Sequence, residues 1–194
     1  SMARMPDGTG EWQQTASPTP GYTNTSAGAA EYQASLPYGT GELMISEMCN
    51  CNKSVLMHTD QQYYDWIEIY NRSGAAINLA GYALSDNAKN PAKWVFPEVT
   101  LGAGEYLVVL ASGNNVTDTS RTLETNFGIS ADGDTVFLFA PDATLLDKLQ
   151  IAQAHVDVSC GRGLDGKAAY YETPTPGQPN GTGASGYAET PAFS

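Results

Sequence analysis

The sequence predicts an antiparallel all-β fold, and three observations carry that prediction. Short apolar runs recur through residues 41–180, each run is bounded by turn-forming residues, and no stretch of useful length has a helical period. The runs are Leu43–Met48, Trp66–Asn71, Tyr82–Ser85, Lys93–Phe96, Tyr106–Ser112, Thr135–Ala140 and Leu145–Gln150. Between them lie Ser73-Gly74, Ala80-Gly81, Asn90-Pro91, Gly102-Ala103-Gly104, Asp132-Gly133-Asp134 and Pro141-Asp142. Glycine admits positive φ at such places and proline pre-sets a bend. In Trp66–Asn71 the alternation puts Ile67 and Ile69 on one face and Trp66, Glu68 and Tyr70 on the other, the pattern of a half-buried strand. Trp66 and Trp94 are expected to pack inside, with Tyr63 and Tyr64 exposed at a strand entrance.

The segment Tyr64-Asp65-Trp66-Ile67-Glu68-Ile69-Tyr70-Asn71 resembles the hallmark strand of the lamin-tail domain family. Further fragments follow in the family's order: Asn78-Leu79-Ala80-Gly81-Tyr82-Ala83-Leu84-Ser85-Asp86, Leu101 to Val109, Asn126-Phe127-Gly128-Ile129, and Gly133 to Leu138. Asp147, Ser159 to Arg162 and a closing Pro-Thr-Pro-Gly-x-x-Asn also fit, so the resemblance runs over 43–180. It implies an immunoglobulin-like β-sandwich without a catalytic centre, with Asp65, Trp66, Glu68, Tyr70, Asn71, Gly81, Leu84, Ser85 and Asp86 as structural hallmarks. Bacterial relatives of this type stand, often in tandem, on secreted or surface proteins, including relatives of spore-coat kinase-like proteins. Cys49-Asn50-Cys51-Asn52 and Cys160 depart from the family's usual small, apolar or aromatic residues.

One internal repeat divides the chain. Arg4-Met5-Pro6-Asp7-Gly8, Trp12, Ser17-Pro18-Thr19-Pro20-Gly21 and Asn24 match Arg162-Gly163-Leu164-Asp165-Gly166, Tyr170 or Tyr171, Thr173-Pro174-Thr175-Pro176-Gly177 and Asn180 in order and chemistry. Residues 1–26 therefore read as the end of a preceding lamin-tail-like repeat, expected to lie as an added strand or loop against a neighbouring surface. Residues 27–41 read as an Ala-, Gly-, Ser- and Tyr-rich linker, 42–180 as the domain, and 181–194 as a linker. Pro191-Ala192-Phe193-Ser194 is similar to the first strand of a β-domain that often follows in the family.

A formal net charge of −12 opposes binding to phosphate backbones or anionic membranes, so nucleic acid is an unfavourable partner. No apolar run is long enough to cross a bilayer, and no signal peptide is visible in this sequence. Three cysteines, Cys49, Cys51 and Cys160, allow at most one pair and do not form a disulfide framework.

No catalytic residues and no cofactor are expected. His58 and His155 lie in no nucleophile elbow or zinc spacing. Asp65, Glu68 and Asp86 are close enough in sequence to suggest paired-carboxylate hydrolysis, but acids on half-buried strands more often satisfy turn amides. Cys49-x-Cys51 with His58 lacks a fourth zinc ligand unless Cys160 joins, so reduced cysteines or one Cys160 bridge is the preferred reading. Asp132-Gly133-Asp134 and Asn114-Asn115-Val116-Thr117-Asp118 offer oxygens to calcium, though short Asp-Gly-Asp turns are more often plain hairpins. Asn-x-Ser/Thr sequons at Asn24, Asn52, Asn71, Asn115 and Asn180 arise readily by chance in such a composition. Tyr63 and Tyr64 form the candidate ligand face. The expectation is a non-catalytic interaction or scaffolding module at the cell surface, with other domains of its own polypeptide, cell-wall polysaccharide or a surface protein as partners. The alternative is a carbohydrate- or calcium-binding accessory domain of an extracellular enzyme.

Overall fold

The computed structural model describes residues 2–5, 9–14, 23–25, 39, 41–163 and 166–186. The chain divides into two compact units, Ser1–Pro37 and Tyr38–Ser194. In the first unit, β1 (Met2–Met5) and β2 (Glu11–Gln14) form an antiparallel pair with Arg4 opposite Trp12. The Arg4 guanidinium lies 4.9 Å from the Trp12 ring centroid. Ser17–Gly21, residues 27–38 of the predicted linker and Pro191–Ser194 fall outside the described residues.

The second unit carries β3 (Leu43–Cys49), β4 (Trp66–Asn71), β5 (Ile77–Asn78), β6 (Ala83–Ser85), β7 (Trp94–Val95), β8 (Thr100–Leu101), β9 (Tyr106–Leu110), β10 (Asp134–Phe139), β11 (Leu145–Ile151), β12 (Ser159–Arg162) and β13 (Ala168–Tyr171). A five-stranded sheet runs β13-β12-β3-β4-β9 and a four-stranded sheet β11-β10-β6-β7, with β5-β8 as a short accessory ladder. Every strand pairing is antiparallel. With no helix among the described residues, this is an immunoglobulin-like β-sandwich, as the pattern and resemblance predict.

The core lies where the two sheets face one another. Ile45, Met48, Ile67, Ile69 and Val109 from one sheet meet Leu84, Val136, Leu138, Leu149 and Ile151 from the other, all buried. Trp94 and Phe96 join them edge to face, with ring centroids 4.8 Å apart. The seven predicted strands are all present, several of them displaced at an end by one or two residues. The two-residue strands β5 and β8 and the strands β12 and β13 were not expected, because runs such as Ser-Cys-Gly-Arg carry little apolar periodicity.

One expectation needs correcting. The alternation in β4 is real, since Ile67 and Ile69 enter the main core, but the other face is not open to solvent. Trp66 is buried, as expected, and Glu68 is fully buried with it. Trp66 packs with Cys49 and Leu110 in a second apolar cluster, and Glu68 is covered by a segment from the far end of the domain.

Leu84 pairs with Leu138 on one side and Trp94 on the other, at 0% exposure. Replacing it with alanine is expected to destabilise the domain by about 2–5 kcal/mol in chemical denaturation, through lost transfer energy and the cavity left behind. Val95→Ala, at a 41% exposed position in the neighbouring edge strand β7, is expected to cost under about 0.5 kcal/mol.

Candidate functional site

The polar centre of the domain begins with an irregularity in β3. The register of β3 against β4 shifts between Ile45 and Glu47, leaving Ser46 as an inserted residue and bringing Glu47 opposite Glu68. A bulge withdraws backbone groups from the ladder, and buried groups must then find partners elsewhere. The Ile45 N–H donates to Asp147 Oδ2 at 2.7 Å, and the Ile45 carbonyl accepts from Arg162 Nη1 at 3.1 Å. Asn180 Nδ2 donates to the Ser46 carbonyl at 2.8 Å and to the Arg162 carbonyl at 2.9 Å.

Asp147 and Arg162 close this arrangement on themselves with a 2.7 Å ion pair, both side chains nearly inaccessible. Arg162 also donates to the Lys148 carbonyl. Gly161 is required at this crossing: a Cβ there would stand 2.6 Å from the Ser46 carbonyl and 2.7 Å from Asn180 Nδ2.

Glu47 and Glu68 lie side by side and fully buried. Ser46 Oγ donates to Glu68 Oε1 at 2.6 Å, and Ser159 Oγ donates to Glu47. The remaining donors come from residues 173–180. The Thr175 N–H reaches both Glu47 oxygens at 3.2 and 3.1 Å, and the Gly177 N–H donates to Glu68 Oε2. Pro174 and Pro176 have no N–H, so alternating proline leaves amides at the two positions that meet the carboxylates. The single hydroxyl proton of Thr175 lies between two acceptors, Asn180 Oδ1 at 2.9 Å and Glu47 Oε2 at 3.3 Å. Burial outweighs these donors and raises both acids, Glu68 to about 7.

The other hallmark residues are also spent on backbone or core. Asn71 Nδ2 reaches the carbonyls of Ala75, Leu101 and Gly102 at 2.8–3.0 Å, and its Oδ1 accepts from Ser73. Asp65 accepts the Asn52 N–H at 3.2 Å, Ser85 Oγ bonds to Asn87, and Asp86 pairs with Lys93 at 2.6 Å. Tyr70 stacks on Tyr106, centroids 4.4 Å apart. Gly81 adopts φ +84°, and its missing Cβ leaves room for Pro141. The suggested Asp65, Glu68 and Asp86 carboxylate set is therefore not assembled: each is committed to a different partner, and Glu68 joins Glu47 instead.

The candidate ligand face splits. Tyr63 is 39% exposed and bridges to Met57, itself 58% exposed. Tyr64, expected to be exposed with it, packs against the Cys49, Trp66 and Leu110 cluster and donates to Asp60 at 3.0 Å. His58 lies edge-on to Tyr64, with Nδ1 3.0 Å from Asp60 Oδ1 and Nε2 3.8 Å from Glu124 Oε1.

The two candidate calcium loops carry local hydrogen bonds. Asp134 accepts the N–H groups of Ser130 and Thr135, Asp118 accepts the N–H and the hydroxyl proton of Ser120, and Asn114 Nδ2 donates to Glu124. All three cysteines are free, and burial raises the Cys49 thiol to about 12 and that of Cys160 to about 11. Among the described residues no group of three His, Cys, Asp or Glu is placed to hold a metal.

Sequence reasoning passed over Glu47, Thr175, Gly177 and Asn180 as working residues. The signal was present in the repeat, since Asn24 donates to the Arg4 carbonyl at 3.3 Å just as Asn180 donates to that of Arg162. Asn180→Ala strands two carbonyls beside the bulge and is expected to cost about 2–4 kcal/mol in thermal or chemical unfolding. Lys89→Ala, in an exposed turn, should change stability by less than about 0.5 kcal/mol.

No curated protein matches the chain. The model of the family described as Lamin Tail Domain matches residues 37–153, which include β3 to β11 and end before β12 and the Pro-Thr-Pro-Gly segment. The resemblance read over 43–180 thus extends past the family match, although the structure ties Arg162 and Asn180 into the same bulge. With its hallmark residues in structural positions and more than half its length matched, the chain belongs to the lamin tail domain family.

Proposed function

We propose that this protein is a non-catalytic interaction and scaffolding module of a multidomain, exported surface protein. What supports the reading most directly is how the hallmark polar residues are used. Asp65, Glu68, Asn71, Ser85 and Asp86 bond to backbone, to each other's neighbours or to Lys93. A catalytic acid or base needs hydrogen-bond reach to a substrate, and groups committed to holding turns lack that access. Such use suits a rigid platform.

The repeated Arg, Asp-Gly, aromatic and Pro-Thr-Pro-Gly elements favour residues 1–26 as the close of a preceding unit of the same type. The two-stranded hairpin of β1 and β2 and the Asn24 to Arg4 bond agree with that assignment. Tandem units gain avidity through effective concentration, so each contact can be weak.

The contact face we assign is the tip formed by Met57 and Tyr63, where two large apolar side chains stand exposed on bridged backbone. Its partner class is cell-wall polysaccharide or an envelope surface protein, with Tyr63 stacking on a sugar ring or filling a partner's pocket. The full chain is expected to bind isolated envelopes or cell-wall polysaccharide saturably, with and without calcium. Tyr63→Ala should weaken binding at least tenfold in a pull-down isotherm, whereas Tyr64→Phe should leave it within about twofold after its smaller effect on the loop. Binding untouched by Tyr63→Ala would move the face elsewhere; no binding to either preparation would favour a spacer role.

A further inference from the structure

The sequence from 181 onward reads as a linker, yet its first residues lie against the outer edge of β13. The Tyr170 N–H donates to the Ala184 carbonyl at 2.8 Å, and the Ala184 N–H donates back to the Tyr170 carbonyl at 2.9 Å. Two residues that exchange both bonds form a rung of an antiparallel ladder. β13 is the outermost strand of the five-stranded sheet and has β12 on its other side, so this rung lies on the edge that the sheet would otherwise leave open. We propose that residues 182–186 are an edge cap, docked on β13 as an added strand through Gly183 and keeping that edge from pairing with a second copy of the chain.

The fit is selective for glycine. A Cβ at Gly183 would stand 2.6 Å from Ala169 Cβ, 2.9 Å from Tyr171 Cε1 and 3.0 Å from the Tyr170 carbonyl oxygen. None of these atoms gives way cheaply. Ala169 Cβ is fixed by its backbone, the Tyr171 ring is buried, and Tyr170 packs against the core. Gly181 and Gly186, on either side, have nothing within 4 Å of the same position. The close approach is therefore confined to the glycine beside the bonded Ala184. Glycine, alanine and serine make a linker flexible, but the absence of a side chain is also what lets one backbone lie this close to another.

The opposite edge of the sheet is covered in a similar way. The Leu110 N–H of β9 donates to the Leu123 carbonyl at 2.9 Å, and the Leu110 carbonyl accepts the Thr125 N–H at 2.8 Å. A bare edge offers a row of amides and carbonyls to any other strand, and covering it with a loop removes that template. On β13 the outward backbone groups belong to Tyr170 and, two residues away by alternation, Ala168. A second copy brings the identical row, and two such rows match when they run antiparallel about a twofold axis. This cap concerns the domain's own edge and stands whether or not Tyr63 marks a binding face.

Amide hydrogen exchange and sedimentation velocity of the full chain test it. In the unmodified protein the Tyr170 and Ala184 amides should exchange at least about tenfold more slowly than their intrinsic rates. Gly183→Ala should lose about tenfold in protection at both amides and self-associate more strongly than the unmodified chain, whereas Gly186→Ala should stay within about twofold of it. Exchange of Ala184 at its intrinsic rate in the unmodified chain, or unchanged protection in Gly183→Ala, overturns the docking. Released amides without a gain in self-association overturn the sealing role. Should Gly183→Ala fail to fold, Ala184→Pro takes its place: it deletes the donor on the segment itself, and the Tyr170 amide and the sedimentation are read in the same way.

Discussion

The bulge at Ser46 is the constraint on which the rest of the domain depends. One inserted residue in a central strand brings Glu47 opposite Glu68 and withdraws the Ile45 and Ser46 carbonyls and the Ile45 amide from ordinary pairing. All of these groups are buried, where an unpaired one costs about 1–3 kcal/mol. Side chains and amides far away in sequence answer them: Asp147, Arg162, Asn180, and the strap of residues 173–180 that carries Thr175 and Gly177. The bulge is therefore the point at which the last third of the chain is tied to the first strand of the sandwich. A regular β3 would need none of these partners and would have no specific reason to hold the strap.

The ion pair within this network illustrates why its parts are interdependent. Asp147 and Arg162 are each too buried to be charged alone, since removing one partner of such a pair leaves an uncompensated charge that costs about 3–5 kcal/mol. Together they do more than neutralise one another: each also completes a hydrogen bond that the bulge left open, one to the Ile45 amide and one to its carbonyl. Gly161 then lets β12 approach the Ser46 carbonyl closely enough for Asn180 to bridge the two strands. Packing, charge and backbone satisfaction are thus settled by one set of residues.

The architecture was legible in the sequence because apolar runs and turn residues are local signals. Leu43–Met48 and Trp66–Asn71 needed only alternation to be recognised, and the order of the family's fragments supplied the sandwich. What was not legible was burial of the second face of β4. Alternation distinguishes two faces, but it does not say what covers the polar one, and the amides that Glu68 meets lie more than a hundred residues away. Strands β12 and β13 escaped for a related reason: Ser159 and Gly161 are there to meet Glu47 and to leave space for Ser46, which is long-range chemistry without a local period. Tyr63 and Tyr64 form a similar case, since adjacent residues on extended chain point apart, and one of them joined the apolar cluster around Trp66.

The family match ends at residue 153, but the physical unit does not. Without β12 the Ile45 carbonyl would lose Arg162 and Asp147 would lose its counter-charge; without the strap, Glu47 and Glu68 would lose three donors between them. A sheet that buries two acids and an irregular strand must carry its closing segment with it, so a lamin tail domain of this kind is complete only with its Pro-Thr-Pro-Gly-x-x-Asn end. Asn24 donates to the Arg4 carbonyl as Asn180 donates to that of Arg162. On that argument the motif is a mark of domain closure in Tyr38–Ser194, where Arg162, Thr175, Gly177 and Asn180 are tied to β3 and β4.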